Sequence, residues 1–223
     1  MSRIWTDEQL DAMAKRTIDK AFDAIDAKET EKAKELVQLM YDQFTHLHDG
    51  YMVWVTGLLT WIYDRHGTEG VTDAEREAHA KEGKLVFLPP ERNDFQYIVE
   101  KMSAELQGHV HQHMTLEEDD EKITMTVSPC GSGGRLITMG GYDPEIGLKC
   151  IKEPADITFN TPDFPMYCVH CPMFNMNSID STGTLRFVNE PPGDGTSCVR
   201  YFYKDSKDIP EKYFKRLGRE KPL

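Results

Sequence analysis

HVHQHMTLEEDDEKITMTVS, residues 109–128, is the stretch on which the fold turns. Upstream of it, apolar residues recur every three or four positions. Here they give way to alternation with β-branched enrichment, the period of a strand rather than a helix. The alternation predicts strands over 109–117 and 122–128, with Glu118-Asp119-Asp120-Glu121 as the hairpin turn. If the turn centres on Asp119 and Asp120, His113 faces Thr126, His111 faces Ser128 and His109 faces Cys130. Side chains two apart on a strand share a face, so three imidazoles would project together beside a thiol. A slip of one residue would turn that set to the other face.

Working outward, the first 66 residues read as helix. Thr6 caps the first, with Asp7 and Glu8 in its opening turn and Leu10, Met13, Ile18, Phe22 and Ile25 as its apolar positions. After a break at 27–30, a second helix runs from Glu31 to His66 and closes at Gly67. Its apolar positions, from Leu36 to Ile62, recur at threes and fours, and the stripe widens after Gly50, which predicts deeper burial there. Residues 68–92 end in Pro89-Pro90 and read as a polar helix-and-loop connection. Asn93 or Asp94 then caps a helix through Leu106 that Gly108 stops. Beyond the first hairpin, 185–189 and 197–203 form a second one, and Ile209-Pro210-Glu211 opens a short C-terminal helix. Helices followed by strands give an α+β fold. Its expected parts are an N-terminal helical lobe over 1–92 and a small, mainly antiparallel sheet lobe over 93–223, which carries the Cys/His cluster, within one compact domain.

Composition limits the partners. Hydrophobic content of 39% and charged content of 29% in 223 residues suit a chain that buries a core. The net charge of −12 repels phosphate backbones and anionic lipid, which argues against nucleic-acid and membrane partners. The N-terminus lacks the apolar run of a secretory signal, and the best apolar stretch, Tyr51 to Tyr63, is too short to span a bilayer. A cytoplasmic location is the expectation, and there five cysteines serve as thiols or metal ligands rather than disulfides. An exposed face on the long helix would favour a homodimer.

Three segments could carry chemistry. In Tyr167-Cys168-Val169-His170-Cys171-Pro172, two thiols separated by two residues can chelate one ion from a tight turn; a redox dithiol and a structural pair are the alternatives. In Ser128-Pro129-Cys130-Gly131-Ser132-Gly133-Gly134-Arg135, a thiol enters a glycine loop whose amides can converge on an anion. Arg135 would hold a substrate carboxylate there, with Gly131, Ser132 and Gly133 around it. The bland reading is a glycine-rich turn with a surface arginine. The third segment is the histidine strand. Cys130, Cys168 and Cys171, with His109 or His111, would complete a tetrahedral site for zinc; iron or an iron–sulfur cluster is a lesser option. His48 is a candidate proton carrier, although a hydrogen-bonded core histidine is the commoner case, and Trp54 a candidate apolar wall. Cys150 and Cys198 sit in apolar strand patterns and read as small buried hydrophobes.

The C-terminal third, with Cys168 and Cys171 in a proline-flanked turn and a strand running Gly193-Asp194-Gly195-Thr196-Ser197-Cys198-Val199-Arg200-Tyr201, resembles the L-2-amino-thiazoline-4-carboxylic acid hydrolase-like family. The small 4-vinyl reductase domains have a similar terminal strand. The first resemblance implies hydrolysis of a small cyclic carboxylic acid containing sulfur or nitrogen. From the residues themselves the expectation is a metal-dependent, zinc-using enzyme that acts on a small carboxylate by hydrolysis or a lyase step. The alternatives are a metal-free hydrolase with Cys130 as nucleophile, or a ligand-binding protein whose Cys/His zinc is structural.

Overall fold

The computed structural model describes residues 4–85, 94–109, 113–191 and 196–222. Two compact units divide at Gly50, within the long helix: Met1–Gly50 and Tyr51–Leu223. The division thus falls well before the expected boundary at 92, because Met52, Leu59 and Val71 pack into the cores of the second unit. No helix among the described residues is long and apolar enough to cross a membrane.

In the first unit the expected single helix is two, α1 (Asp7–Ala14) and α2 (Thr17–Asp26). Thr6 and Gln9 form the capping box at the start of α1: the Thr6 hydroxyl accepts from the Gln9 amide at 3.2 Å, and the Gln9 side chain accepts from the Thr6 amide at 2.9 Å. Lys15 and Arg16 take extended backbone angles and separate the helices. Ala21, Ala24 and Ala33 are buried, whereas Leu10, Met13, Phe22 and Ile25 stay exposed.

Helix α3 (Thr30–Leu85) runs through both units and leaves helical geometry at Gly67, where φ is 64° and ψ −163°. The expected stop at Gly67 is therefore a kink, since glycine takes a positive φ at little cost and the helix then resumes. In the second unit the buried side of α3 is Met52, Thr56, Leu59 and Val71. Of the apolar stripe expected to be buried after Gly50, Leu59 is buried and Ile62 half-buried, whereas Tyr51, Val55 and Leu58 are exposed.

Helix α4 (Phe95–Gln107) is capped by the Asp94 side chain, which accepts from the Tyr97 amide. Four antiparallel strands follow in the order β1-β2-β6-β5: β1 (Met114–Glu118), β2 (Lys122–Val127), β5 (Val188–Glu190) and β6 (Cys198–Tyr203). Both expected hairpin partners are present, and the chain is an α+β protein. The Asp119 carboxylate accepts from the amides of Glu121 and Lys122, which closes the first turn. Met114 pairs with Val127, so the register differs by two residues from the one expected and keeps the same faces. His113 therefore stands opposite Ser128, whose amide donates to its carbonyl at 2.8 Å.

Each sheet face has its own core. Met125, Val127 and Phe202 pack with Phe187 and with Ile98, Val99, Met102 and Leu106 of α4. Val188, Tyr201 and Tyr203 face the larger cluster, which includes Val169, Met173 and Met176 and, near the C-terminus, Phe214. Helix α5 (Gly133–Thr138), the β3–β4 pair (Cys150–Ile151 and Phe164–Pro165), α6 (His170–Thr182) and α7 (Lys212–Lys215) complete the unit. Phe202 is fully buried between strands and α4 residues, so Phe202→Ala is expected to cost about 3–5 kcal/mol in urea denaturation. Leu58→Ala, on the exposed side of α3, should change stability by less than about 0.5 kcal/mol.

Candidate functional site

A cavity of about 1260 Å³ lies in the second unit, and all five cysteines line it. One wall is α4, through Ile98 and Met102; others are the glycine loop, the start of α6 and the face of β6 that carries Cys198 and Arg200. The expected cysteines thus meet, and Cys150 and Cys198, read as mere core residues, join them.

On one wall, Glu75 and His79 sit one turn apart on α3 and meet His170, the first residue of α6. His79 Nε2 lies 2.9 Å from His170 Nδ1 and 3.3 Å from Glu75 Oε2, and His170 Nδ1 lies 3.8 Å from the same oxygen. Two ring nitrogens 2.9 Å apart cannot both point protons at each other, so one presents a lone pair. The second nitrogen of His79 lies 3.9 Å from a Glu82 carboxylate oxygen. The Phe174 ring meets both imidazoles edge-to-face at 4.5 and 4.4 Å. Burial alone would raise the Glu75 carboxyl, but hydrogen bonding to His170 and His79 holds it down at about 2. This group could hold a metal ion, its ligand atoms all lying within 4.8 Å of one another.

The second wall is built by the glycine loop. Cys130 N donates to Thr196 O at 2.7 Å, which docks the loop on the strand that begins at Cys198. A Cβ on Gly134 would fall 2.0 Å from Thr196 O, and one on Gly133 would fall 2.6 Å from Cys168 Sγ. Neither position tolerates a side chain. Cys130, Ser132, Gly134, Cys198 and Arg200 line the same cavity. The Cys198 hydrogen bond first, then the amides and the guanidinium, hold the Cys130 thiol well below the ordinary cysteine range against burial. That same hydrogen bond, with burial, pushes Cys198 up. Burial pushes Cys168 well up, and lifts Cys171 to about 11 although Arg200 hydrogen-bonds to it.

Arg200 is fixed by a buried amide chain. Its Nε donates to Asn189 Oδ1 at 2.9 Å; Asn189 Nδ2 donates to Cys171 O, and Asn189 N donates to Asn175 Oδ1. Among the described residues Arg200 pairs with no carboxylate, and its Nη1 is buried without a hydrogen-bond partner.

No protein-family model, curated protein or solved structure matches the chain. The site is therefore read from its own geometry.

Several expected residues fall elsewhere. Among the described residues, Cys130, Cys168 and Cys171 do not form a group of ligand spacing; the Arg200 guanidinium stands beside Cys130 and Cys171 instead. His109 follows α4, with Nδ1 3.2 Å from Glu105 O, and belongs to no strand; it does line the cavity. His111 lies outside the described residues. Arg135 and Gly131 do not line the cavity, whereas Ser132 and Gly133 do. His48 lies in the first unit with its ring toward Asp49, and Trp54 is 60% exposed beside Tyr51. The sequence reading passes over Glu75, His79 and Arg200. The one signal for the first two is a carboxylate and an imidazole four apart on a helix.

Gly134→Ala must displace backbone, so it is expected to cost about 1–3 kcal/mol in thermal or urea unfolding. Gly50→Ala, on an open helix surface, should instead add about 0.5–1 kcal/mol.

Proposed function

We propose that the chain is a metal-dependent enzyme whose ion is held by Glu75, His79 and His170, and that it acts on a small carboxylate-bearing molecule by hydrolysis or a lyase step. The observation that carries this reading is the triangle of donors. Bonds of about 2.0–2.1 Å in a tetrahedral zinc site put ligands about 3.3 Å apart, and the three separations here are 2.9, 3.3 and 3.8 Å. Two imidazoles and a carboxylate leave one position open, and an ion so held supplies an activated water or a Lewis acid.

The residues around it have definable tasks. His79 and His170 belong to the cavity wall, and Glu75 stands behind them, so the open position would face the cavity. Glu82, 3.9 Å from the second nitrogen of His79, adds negative charge that favours a cation here. Ile98, Met102 and Phe174 supply apolar surface against the substrate body. The donor set favours zinc, and ferrous iron takes the same one; an iron–sulfur cluster needs thiolates and fits these donors poorly. The resemblance to the L-2-amino-thiazoline-4-carboxylic acid hydrolase-like family agrees with this reading and narrows the substrate to a small cyclic acid. A cytoplasmic location, where thiols stay reduced, is part of the same proposal.

Elemental analysis of untagged protein should find about one zinc per chain, removed by a strong chelator and absent from His79→Ala and Glu75→Ala. Cys168→Ser should keep the ion. Metal retained in His79→Ala but lost from Cys168→Ser would overturn the assignment in favour of the cysteines.

A further inference from the structure

The metal reading leaves Arg200 without a task, and its surroundings set it apart. On β6 it shares a face with Cys198 and Phe202, and its cross-strand partners are Met125 of β2 and Asn189 of β5. Met125 and Phe202 are fully buried, in the core that also takes Ile98 and Met102 of α4. A guanidinium set among such residues gives up hydration, which a counter-charge or a full set of hydrogen bonds must replace. Among the described residues Arg200 has only part of that replacement. Its Nε donates to Asn189 Oδ1 at 2.9 Å, no carboxylate pairs with it, and Nη1 is buried without a hydrogen-bond partner. An acceptor supplied from the cavity, which Arg200 lines, would satisfy it.

The guanidinium is also fixed. Asn189 is 4% exposed and is itself tied to Cys171 O and Asn175 Oδ1, so Arg200 keeps one orientation at the cavity wall. The net charge of −12 repels anions at long range, and only a cation inside the cavity draws one in. Lys101, on the same wall as Ile98, lies 3.8 Å from Glu105, and Arg186 is exposed. Neither is a buried cation held in place.

We propose that Arg200 is the anion anchor of the cavity, and that its ligand is a small carboxylate with an apolar body. The guanidinium fork donates to both carboxylate oxygens, a geometry that a lysine does not offer. Ile98, Met102 and Phe174 line the cavity and take the body of the ligand. The role expected of Arg135 thus falls to an arginine on β6. That this ligand is the substrate rests on the metal reading; that a carboxylate binds at Arg200 does not.

The test titrates the full chain, with and without chelator, with benzoate and with its neutral isostere benzamide, by calorimetry or ligand-observed NMR. Benzoate is expected to bind with a Kd of about 1 mM, about tenfold tighter than benzamide. Arg200→Met should remove that preference and leave benzamide binding unchanged, and Arg200→Lys should restore part of it. Arg186→Met should keep the preference. If Arg200→Met does not fold, the wild-type chain still decides: the Arg200 Nε–H resonance should move with benzoate and stay with benzamide. Equal affinity for the two compounds, no benzoate binding at about 20 mM, or a preference kept in Arg200→Met would overturn the proposal. A preference lost on chelation but kept in Arg200→Met would place the carboxylate on the ion, which sinks the anchor and leaves the metal reading standing. A preference that depends on Arg200 in a chain that binds no metal would support the anchor and sink the metal reading alone.

Discussion

Asn189 holds the second unit's chemistry in place. It lies on β5 opposite Arg200 of β6, is 4% exposed, and spends its side chain on two partners: Oδ1 accepts from Arg200, and Nδ2 donates to Cys171 O. Its own amide donates to Asn175 of α6, whose side chain also reaches Phe187 O. The start of α6 is thereby tied to the sheet by buried hydrogen bonds. Each contributes about 1 kcal/mol net, but leaving one partner unsatisfied in a buried site costs about 1–3 kcal/mol. Such a chain tolerates few alternative geometries, and so it fixes where His170 and Cys171 stand.

That placement divides one dipeptide between two centres. His170 turns to Glu75 and His79, and Cys171 turns to Arg200 and Cys130. The first centre gathers a buried carboxylate and lone pairs, which suit a cation. The second gathers amide donors and a guanidinium, which suit an anion. Both line one cavity, so a substrate there meets opposite polarities on two walls.

Much of the fold is legible in the sequence because alternation and turn chemistry are local. The hairpin at 114–127, the second strand pair and the Asp94 and Thr6 caps follow from neighbouring residues. What is not legible depends on partners distant in the chain. The stripe of Tyr51, Val55, Leu58, Leu59 and Ile62 has helical spacing, but spacing does not say which side of α3 meets the core of the second unit, and the side of Met52, Thr56 and Leu59 does. His109 belongs to the end of α4 because Gly108 does not finish the turn: the His109 amide still donates to Leu106 O. Glu75 and His79 gain their meaning from His170, 91 residues beyond His79, and no local pattern announces that contact.

The cysteines show the same limit in electrostatic form. Thiol spacing correctly brings Cys130, Cys168 and Cys171 to one cavity, and even understates the gathering, since Cys150 and Cys198 arrive as well. A metal site also requires that no fixed positive charge occupy the space among its ligands. Arg200, an ordinary strand residue in the sequence, lines the same cavity as these thiols. A divalent cation there would face a guanidinium that Asn189 does not let swing away. Glu75, His79 and His170 carry no such neighbour among their described contacts, and that group could hold a cation. A fixed guanidinium on one wall, and a buried carboxylate with two imidazoles at another, give the cavity walls of opposite electrostatic character.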